Sequence, residues 1–184
     1  MDLVLATNNP GKVSELRDLL AHSGVTVMAR PEHIPHTVED ADTLTGNAAK
    51  KAREVCAAVN KPALADDTGL FVDALDGAPG VQTARFGGWE KLLTAMDGIP
   101  VSGRLAQFRT VVVVAYPDGR PELEVEGTTN GVILTQPRGD RGFGYDPVFV
   151  PNDGDGRSFA EMTTAEKNSI SHRGRALQNL LKRL

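Results

Sequence analysis

The sequence has few residues that crosslink a protein or anchor it in a membrane. Its 184 residues include one cysteine, Cys56, which excludes an internal disulfide and a multi-thiolate metal cluster. No apolar run approaches the roughly 18–20 residues that span a bilayer. Charged residues at Asp2, Lys12 and Glu15 leave no room for the core of a signal peptide. We therefore expect a soluble cytoplasmic protein with no membrane partner.

An excess of positive charge is also missing. Lysine and arginine total 20 against 24 acidic residues, which gives a net charge of −4. Because broad binding to a nucleic-acid backbone needs many excess cations, we expect no nucleic-acid partner. The length suits one domain, with one large core or two small lobes.

The pattern of apolar residues predicts an α/β protein. Strand, helix, strand, helix and strand alternate over residues 2–66, which is typical of a parallel core. The first helix carries Val13, Leu16, Leu19 and Leu20 on one face, and the second begins near Thr43. The pattern predicts a long strand over Arg104–Tyr116 and a half-exposed antiparallel partner strand over residues 122–127. It also predicts a final helix that starts near Thr163.

Two adjacent carboxylates are the most informative local feature. Asp66 and Asp67 follow the apolar run Ala63–Ala65, which predicts a buried strand, and precede Thr68-Gly69, which predicts a turn. Two like charges at the end of a core strand are costly unless a cation or water compensates them. A divalent cation would do so and would also bring phosphate oxygens to the carboxylates. An ordinary acidic turn is the alternative.

The first strand–helix junction predicts an anion site. Asn9 is a good N-cap and Pro10 suits the first helical position, so free backbone N–H groups point to one place. Thr7, Asn8 and Lys12 surround that place with further donors, which favours phosphate. An ordinary capped turn is again the alternative.

Five motifs in order resemble the inosine triphosphate pyrophosphatase family. They span nearly the whole chain and lie at 7–12, 65–70, 77–86, 142–149 and 171–174. The resemblance implies an elongated mixed sheet in two lobes with a central nucleotide-binding cleft, within a single domain over residues 1–184. It also implies a homodimer that hydrolyses the triphosphates of inosine, deoxyinosine and xanthosine to the monophosphate and pyrophosphate.

The same resemblance assigns roles around the triphosphate. Asp67 matches the general base, and Mg²⁺ is the expected ion on Glu39, Asp66 and Asp67. Asp40 and Asp42 lie close enough to compete with Glu39, and Asp42 is also a candidate helix cap. The residues expected to bind the phosphates are Thr7, Asn8, Asn9, Lys12 and Lys51. Thr68 is expected to contact the substrate, and Lys50 is expected on the solvated face of its helix.

The C-terminal motifs are expected to bind the purine. Phe143 stacks on the base, and a donor-rich pocket suits the C6 carbonyl of hypoxanthine or xanthine better than the amino group of adenine. The residues assigned to this role are Phe143, Gly144, Tyr145, Asp146, Lys167, His172 and Arg173.

One segment departs from the family pattern, and two other functions stay open. Residues 87–93, which include the only tryptophan, Trp89, are shorter than the family's usual stretch, so a lid or a subunit contact is expected to differ. A Maf-type pyrophosphatase acting on other modified or pyrimidine nucleotides is one alternative. A non-enzymatic nucleotide sensor is the other.

Overall fold

The computed structural model describes all 184 residues as an α/β protein with one mixed seven-stranded sheet. The strands are β1 (Asp2–Leu5), β2 (Thr26–Met28), β3 (Ala63–Val72), β4 (Pro79–Gly80), β5 (Leu105–Ala115), β6 (Leu123–Ile133) and β7 (Phe149–Pro151). Their order in the sheet is β2-β1-β3-β5-β6-β7, with β4 paired to β3. Strand β1 runs parallel to β2 and β3, whereas β4 is antiparallel to β3 and β7 to β6. The helices are α1 (Pro10–Leu20), α2 (Leu44–Val59), α3 (Gly88–Ala95), α4 (Thr164–Ile170) and α5 (His172–Leu181).

The chain divides into two compact units, each with its own apolar core. The first comprises Met1–Asp67, Thr110–Glu126 and Ala176–Leu184, and the second comprises Thr68–Arg109 and Gly127–Arg175. The first core includes Leu3, Leu16, Leu64, Val112 and Leu177. The second includes Leu70, Leu92, Phe108, Phe149 and Phe159. None of the helices is long and apolar enough to cross a membrane.

The predicted α/β alternation at the N-terminus is confirmed, including the start of α1. The Asn9 side chain accepts hydrogen bonds from the backbone N–H groups of Gly11 and Lys12, at 3.0 and 3.2 Å. Helix α2 is capped by Thr43, whose hydroxyl accepts from the Gly46 N–H at 3.0 Å. Asp42 is therefore not the cap of this helix.

The turn predicted after the acidic pair is wrong. Strand β3 continues through Thr68 and Gly69 to Val72, so Asp66 and Asp67 lie in the middle of a ten-residue strand. Gly69 permits close approach of β4, because a Cβ there would lie 2.8 Å from the Gly80 carbonyl oxygen. The glycine that suggested a turn is thus used for strand packing.

The predicted final helix is two helices. A capping box at Thr163 and Glu166 starts α4, as expected. Ser171 then adopts an extended conformation, with φ −74° and ψ 156°, which ends α4 before α5 begins. The Ser171 hydroxyl accepts from the Gly174 N–H at 3.1 Å and so satisfies a donor in the first turn of α5. A Cβ on Gly174 would lie 1.9 Å from the Asn168 carbonyl oxygen, so only glycine permits this sharp corner.

Candidate active site

A group of charged side chains in the first unit forms what we call the carboxylate–lysine cluster: Lys12, Glu39, Lys51, Asp66 and Asp67. The Lys51 ammonium lies 2.7 Å from Glu39 Oε1 and 3.1 Å from Asp67 Oδ1. It also donates to the backbone carbonyl of Asp66 at 2.8 Å. Helix α2 therefore joins the central strand to the segment that carries Glu39.

Lys12 reaches the same cluster from the first turn of α1. Its ammonium lies 3.1 Å from Asp66 Oδ2, a carboxylate that has no solvent-exposed side-chain surface. With all five groups ionised, three carboxylates and two ammonium groups leave one negative charge. The cluster thus keeps an electrostatic preference for a further cation.

Burial and charge act in opposite directions on the pKa values in this cluster. Burial raises the pKa of Asp67, and the charge of Glu39 adds to this effect, while Lys51 and Lys12 lower it. For Lys51, burial alone would lower the pKa, but the negative charges of Asp67, Asp66 and Glu39 outweigh burial and raise it. Lys51 therefore remains a cation at neutral pH.

The competing acidic residues near Glu39 lie at the surface. Asp40 is exposed and forms an ion pair with Lys50 at 2.7 Å. Asp42 is also exposed and directly precedes Thr43, the N-cap of α2. Lys50 and Lys51 thus diverge as expected, with only Lys51 buried. Among the three candidates, Glu39 is the acid joined to Asp67 through a shared lysine.

The predicted phosphate junction lies at the start of α1. The Asn9 side chain is committed to capping the helix, and the Thr7 hydroxyl accepts from the Asn9 N–H at 3.2 Å. Asn8 is exposed. The expectation of free backbone N–H groups is wrong, because Pro10 has no N–H and the Gly11 and Lys12 N–H groups both donate to Asn9 Oδ1. The Lys12 ammonium and the positive end of the helix dipole are the positive features that remain at the junction.

The carboxylates fit a hard divalent cation by their chemistry, because Mg²⁺ prefers oxygen ligands. The structure contains no group of three or more His, Cys, Asp or Glu side chains arranged to hold a metal ion. Glu39, Asp66 and Asp67 instead form ion pairs with Lys12 and Lys51. Their donor set suits magnesium, but they do not form a ready-made cage.

In the second unit, a set of residues that we call the Phe143 cluster brings together Phe143, Asp146, Lys167 and Arg173. Asp146 Oδ2 accepts from the Phe143 backbone N–H at 2.8 Å and from the Lys167 ammonium at 2.5 Å. The Lys167 nitrogen lies 4.9 Å from the centroid of the Phe143 ring, and the Arg173 guanidinium carbon 5.7 Å from it. A half-buried aromatic ring is thereby flanked by two cations.

Glycine makes the loop of the Phe143 cluster possible. Gly142 has φ +72°, and a Cβ there would lie 2.0 Å from Asp146 Oδ2. A side chain at this position would displace the carboxylate that holds Phe143 and Lys167. Gly142 is the first residue of the motif at 142–149, but the sequence pattern alone did not indicate this role.

Arg173 of the Phe143 cluster also forms a hydrogen bond with Thr68. Arg173 exposes 1% of its surface and donates from Nη2 to the Thr68 hydroxyl at 3.1 Å. Thr68 is the residue that directly follows Asp67 in the chain. Gly144, with φ +61°, has open space around it.

Two of the residues assigned to the purine are anchored in the apolar core. The Tyr145 hydroxyl donates to the Thr83 carbonyl at 3.0 Å, and its ring belongs to the core of the second unit. The His172 ring is buried and stacks on Phe108, with centroids 4.4 Å apart. These contacts hold both rings in place beside the Phe143 motif and the start of α5.

A model of the Ham1 family matches residues 3–183 of the chain. The chain belongs to the Ham1 family. Among its curated relatives, the dITP/XTP pyrophosphatase of Synechocystis sp. is 46% identical and the match covers 97% of this chain and 93% of that protein. The enzyme of the same name from Gluconobacter oxydans is also 46% identical, over 97% of this chain and 88% of that protein.

Solved structures agree with this Ham1-family assignment. A Ham1 protein from Coxiella burnetii superposes with a TM-score of 0.87 at 36% identity, covering 99% of this chain and 97% of that one. A nucleoside-triphosphatase / dITP/XTP pyrophosphatase from Mycobacterium abscessus gives 0.74 at 39% identity, covering 98% and 99%. The resemblance identified from the motifs is confirmed.

Proposed function

We propose that this Ham1-family protein hydrolyses the triphosphates of inosine, deoxyinosine and xanthosine to the monophosphate and pyrophosphate. The relatives named dITP/XTP pyrophosphatase support the substrate class. The observation that carries the proposal is the buried Asp67, held by Lys51 beside Asp66 and Glu39. Clearing deaminated purines from the cytoplasmic nucleotide pool would be its role.

The carboxylate–lysine cluster is proposed to act on the triphosphate. Lys12 and Lys51 bind the phosphate oxygens, assisted by donors from Thr7, Asn8, Asn9 and Thr68. Asp67 accepts the proton of the attacking water, which is directed at the α-phosphorus. Glu39, Asp66 and Asp67 would hold Mg²⁺, which when bound screens the phosphate charge and polarises oxygen.

The Phe143 cluster is proposed to recognise the purine. Phe143 offers a ring for stacking, and the hydrogen bond from its N–H to Asp146 holds the loop in place. Lys167, His172 and Arg173 supply or support donors that suit a C6 carbonyl. Gly144 and Tyr145 shape the same turn.

A homodimer is proposed as the working form, on the strength of the motif resemblance.

A substrate panel tests the function directly. Standard and deaminated nucleoside triphosphates are each supplied with Mg²⁺, and pyrophosphate and orthophosphate are measured separately. We expect pyrophosphate and the monophosphate, with inosine and xanthosine triphosphates preferred over adenosine triphosphate. Preference for pyrimidine nucleotides would favour a Maf-type enzyme, and binding without turnover would favour a sensor. Orthophosphate as the product would contradict attack at the α-phosphorus.

A further inference from the structure

Asn47 is a buried polar residue to which the proposed reaction gives no role. It lies on α2, exposes 1% of its surface and precedes Lys51 by one helical turn. A primary amide has one acceptor oxygen and two donor hydrogens, and burial makes an unsatisfied group costly. The partners of Asn47 therefore indicate what the residue does.

One side of the Asn47 amide pairs with the backbone of Ala41. The Ala41 N–H donates to Asn47 Oδ1 at 3.0 Å, and Asn47 Nδ2 donates back to the Ala41 carbonyl at 3.4 Å. Because a backbone N–H only donates, this pairing establishes which end of the amide is oxygen. Ala41 follows Glu39 by two residues, so Asn47 anchors the segment that carries this acid.

The nitrogen of Asn47 also reaches the carboxylate of Asp67. Nδ2 donates to Asp67 Oδ2 at 3.3 Å, while the Lys51 ammonium holds the other oxygen, Oδ1, at 3.1 Å. Residues four apart on a helix share one face, so α2 presents both donors to the same carboxylate. Two donors on different oxygens determine the plane of the carboxylate and hence the direction of its remaining lone pairs.

Close packing allows this arrangement. Gly46 precedes Asn47, and a Cβ there would lie 2.7 Å from the Ala41 Cβ. The absence of a side chain at Gly46 lets the Ala41 backbone approach the first turn of α2 and meet the amide. The contact is thus built by two neighbouring residues of the helix.

We propose that Asn47 is a positioning residue, which orients the Asp67 carboxylate as proton acceptor and holds the Glu39 segment in register with it. This inference rests on the proposed function. A proton acceptor works efficiently only when its lone pair is aimed at the attacking water. Asn47 does not touch the reacting atoms, so its loss reduces turnover more than substrate affinity.

Two substitutions separate the two parts of this role. Asn47→Asp keeps an oxygen for the Ala41 N–H, the shorter of the two Ala41 contacts. Its second oxygen faces Asp67 and the Ala41 carbonyl, which replaces attraction by repulsion. Asn47→Ala removes both contacts. We expect kcat with inosine triphosphate to fall by roughly 10- to 100-fold in both variants, the usual loss for a supporting partner. KM should stay within about threefold, because ground-state binding is unaffected.

Hydrogen exchange and a matched control complete the experiment. The Ala41 amide should exchange faster in Asn47→Ala than in wild type and remain protected in Asn47→Asp. Lys50→Ala is the control, because it breaks an exposed ion pair from the same helix to Asp40, in the Glu39 segment. Its kcat and KM should match wild type. Melting temperatures of all variants report folding.

The outcomes distinguish this inference from the proposed function. A wild-type protein that produces no pyrophosphate from any purine triphosphate contradicts the proposed function. An active wild type with an equally active Asn47→Asp overturns the orienting role. Unchanged exchange of the Ala41 amide in Asn47→Ala overturns the anchoring role, whatever the activity. If Asn47→Ala fails to fold, Asn47→Asp still decides the orienting role, and Asn47→Leu, which has a similar size and no polar group, replaces Asn47→Ala in the exchange measurement.

Discussion

Asp67 is buried and lies in the middle of β3, so the strand on both sides of it fixes the position of its carboxylate. Asp67→Asn keeps the size of the side chain and removes the proton acceptor. We expect turnover of inosine triphosphate to fall by about a hundredfold or more, the usual range for loss of a general base. Initial rates of pyrophosphate release measure this effect.

The Asp67→Asn protein should still fold, because the two side chains have nearly the same size. The substitution also removes a buried negative charge, and burial disfavours that charge, as the raised pKa of Asp67 shows. Asp40→Asn is the control, since Asp40 is exposed and bonded to Lys50. Near wild-type turnover in Asp67→Asn would assign the proton acceptor to another residue, with Asp66 or Glu39 tested next.

Arg173 and Lys12 belong to different parts of the proposed site, so they should affect selectivity differently. Methionine is the better replacement at Arg173, because alanine would leave a cavity at a side chain that is 1% exposed. Loss of a charged hydrogen bond costs roughly 1.5–3 kcal/mol. We therefore expect Arg173→Met to reduce the kcat/KM ratio of inosine over adenosine triphosphate by about 10- to 100-fold.

Lys12→Met should lower kcat/KM for both nucleotides alike, because every triphosphate presents the same phosphates. Steady-state kinetics with both substrates give the two ratios. An unchanged ratio in Arg173→Met with equal losses on both substrates would place Arg173 at the phosphates. Unchanged rates would remove it from the site.

At the scale of elements, helix α2 depends on a close approach at its first turn. Gly46→Ala would place a Cβ 2.7 Å from the Ala41 Cβ and 3.0 Å from the Thr43 cap hydroxyl. The clash should cost roughly 1–3 kcal/mol, which exceeds the gain in helix propensity of about 1 kcal/mol. Urea unfolding should therefore show net destabilisation. Adding Ala41→Gly should recover much of the loss, and a Gly46→Ala protein as stable as wild type would contradict the packing argument.

The N-terminus of α4 gives a prediction for pH. Hydrogen bonds from Arg157 and then from Thr163 lower the pKa of Glu166 from 4.5 to about 2. Because the folded pKa is lowered, this contribution to stability is complete above about pH 4.5 and is lost as the pH falls towards 2. A carboxyl NMR titration should give a midpoint near 2.

Substitution of Arg157 checks the cause of this shift. In Arg157→Ala the Glu166 midpoint should move up towards 4.5, because the largest cause is removed. Arg120→Ala, which breaks the exposed pair with Asp118, should leave it unchanged. An Arg157→Ala protein with the midpoint still near 2 would assign the shift to the Thr163 capping box.

At the scale of the whole molecule, the proposed homodimer is open to a direct measurement. One chain has a mass of 19.6 kDa, so two chains give 2 × 19.6 = 39.2 kDa. Light scattering coupled to size-exclusion chromatography at micromolar concentration should give the larger mass. A mass of one chain across the concentration range would contradict the dimer.

Local patterns in the sequence were sufficient for much of this protein. The apolar face of α1, the Asn9 and Thr163 caps and the β-branched run in β5 act between residues close in the chain, so spacing alone predicts them. The ordered motifs likewise identified the family. The choice of Lys51 rather than Lys50 as the inward-facing lysine was also expected from the family motif, whereas its ion pair with Asp67 was not.

Other features depend on residues that are distant in sequence, and only the tertiary structure decided them. Strand β3 extends through Gly69 because β4 packs against it, and the corner at Ser171 depends on contact between Gly174 and the Asn168 carbonyl. Asn47 matters because folding brings Ala41 and Asp67 to one amide. Backbone propensity is a short-range property, whereas pairing and burial are set by the surrounding chain, which a linear pattern does not contain.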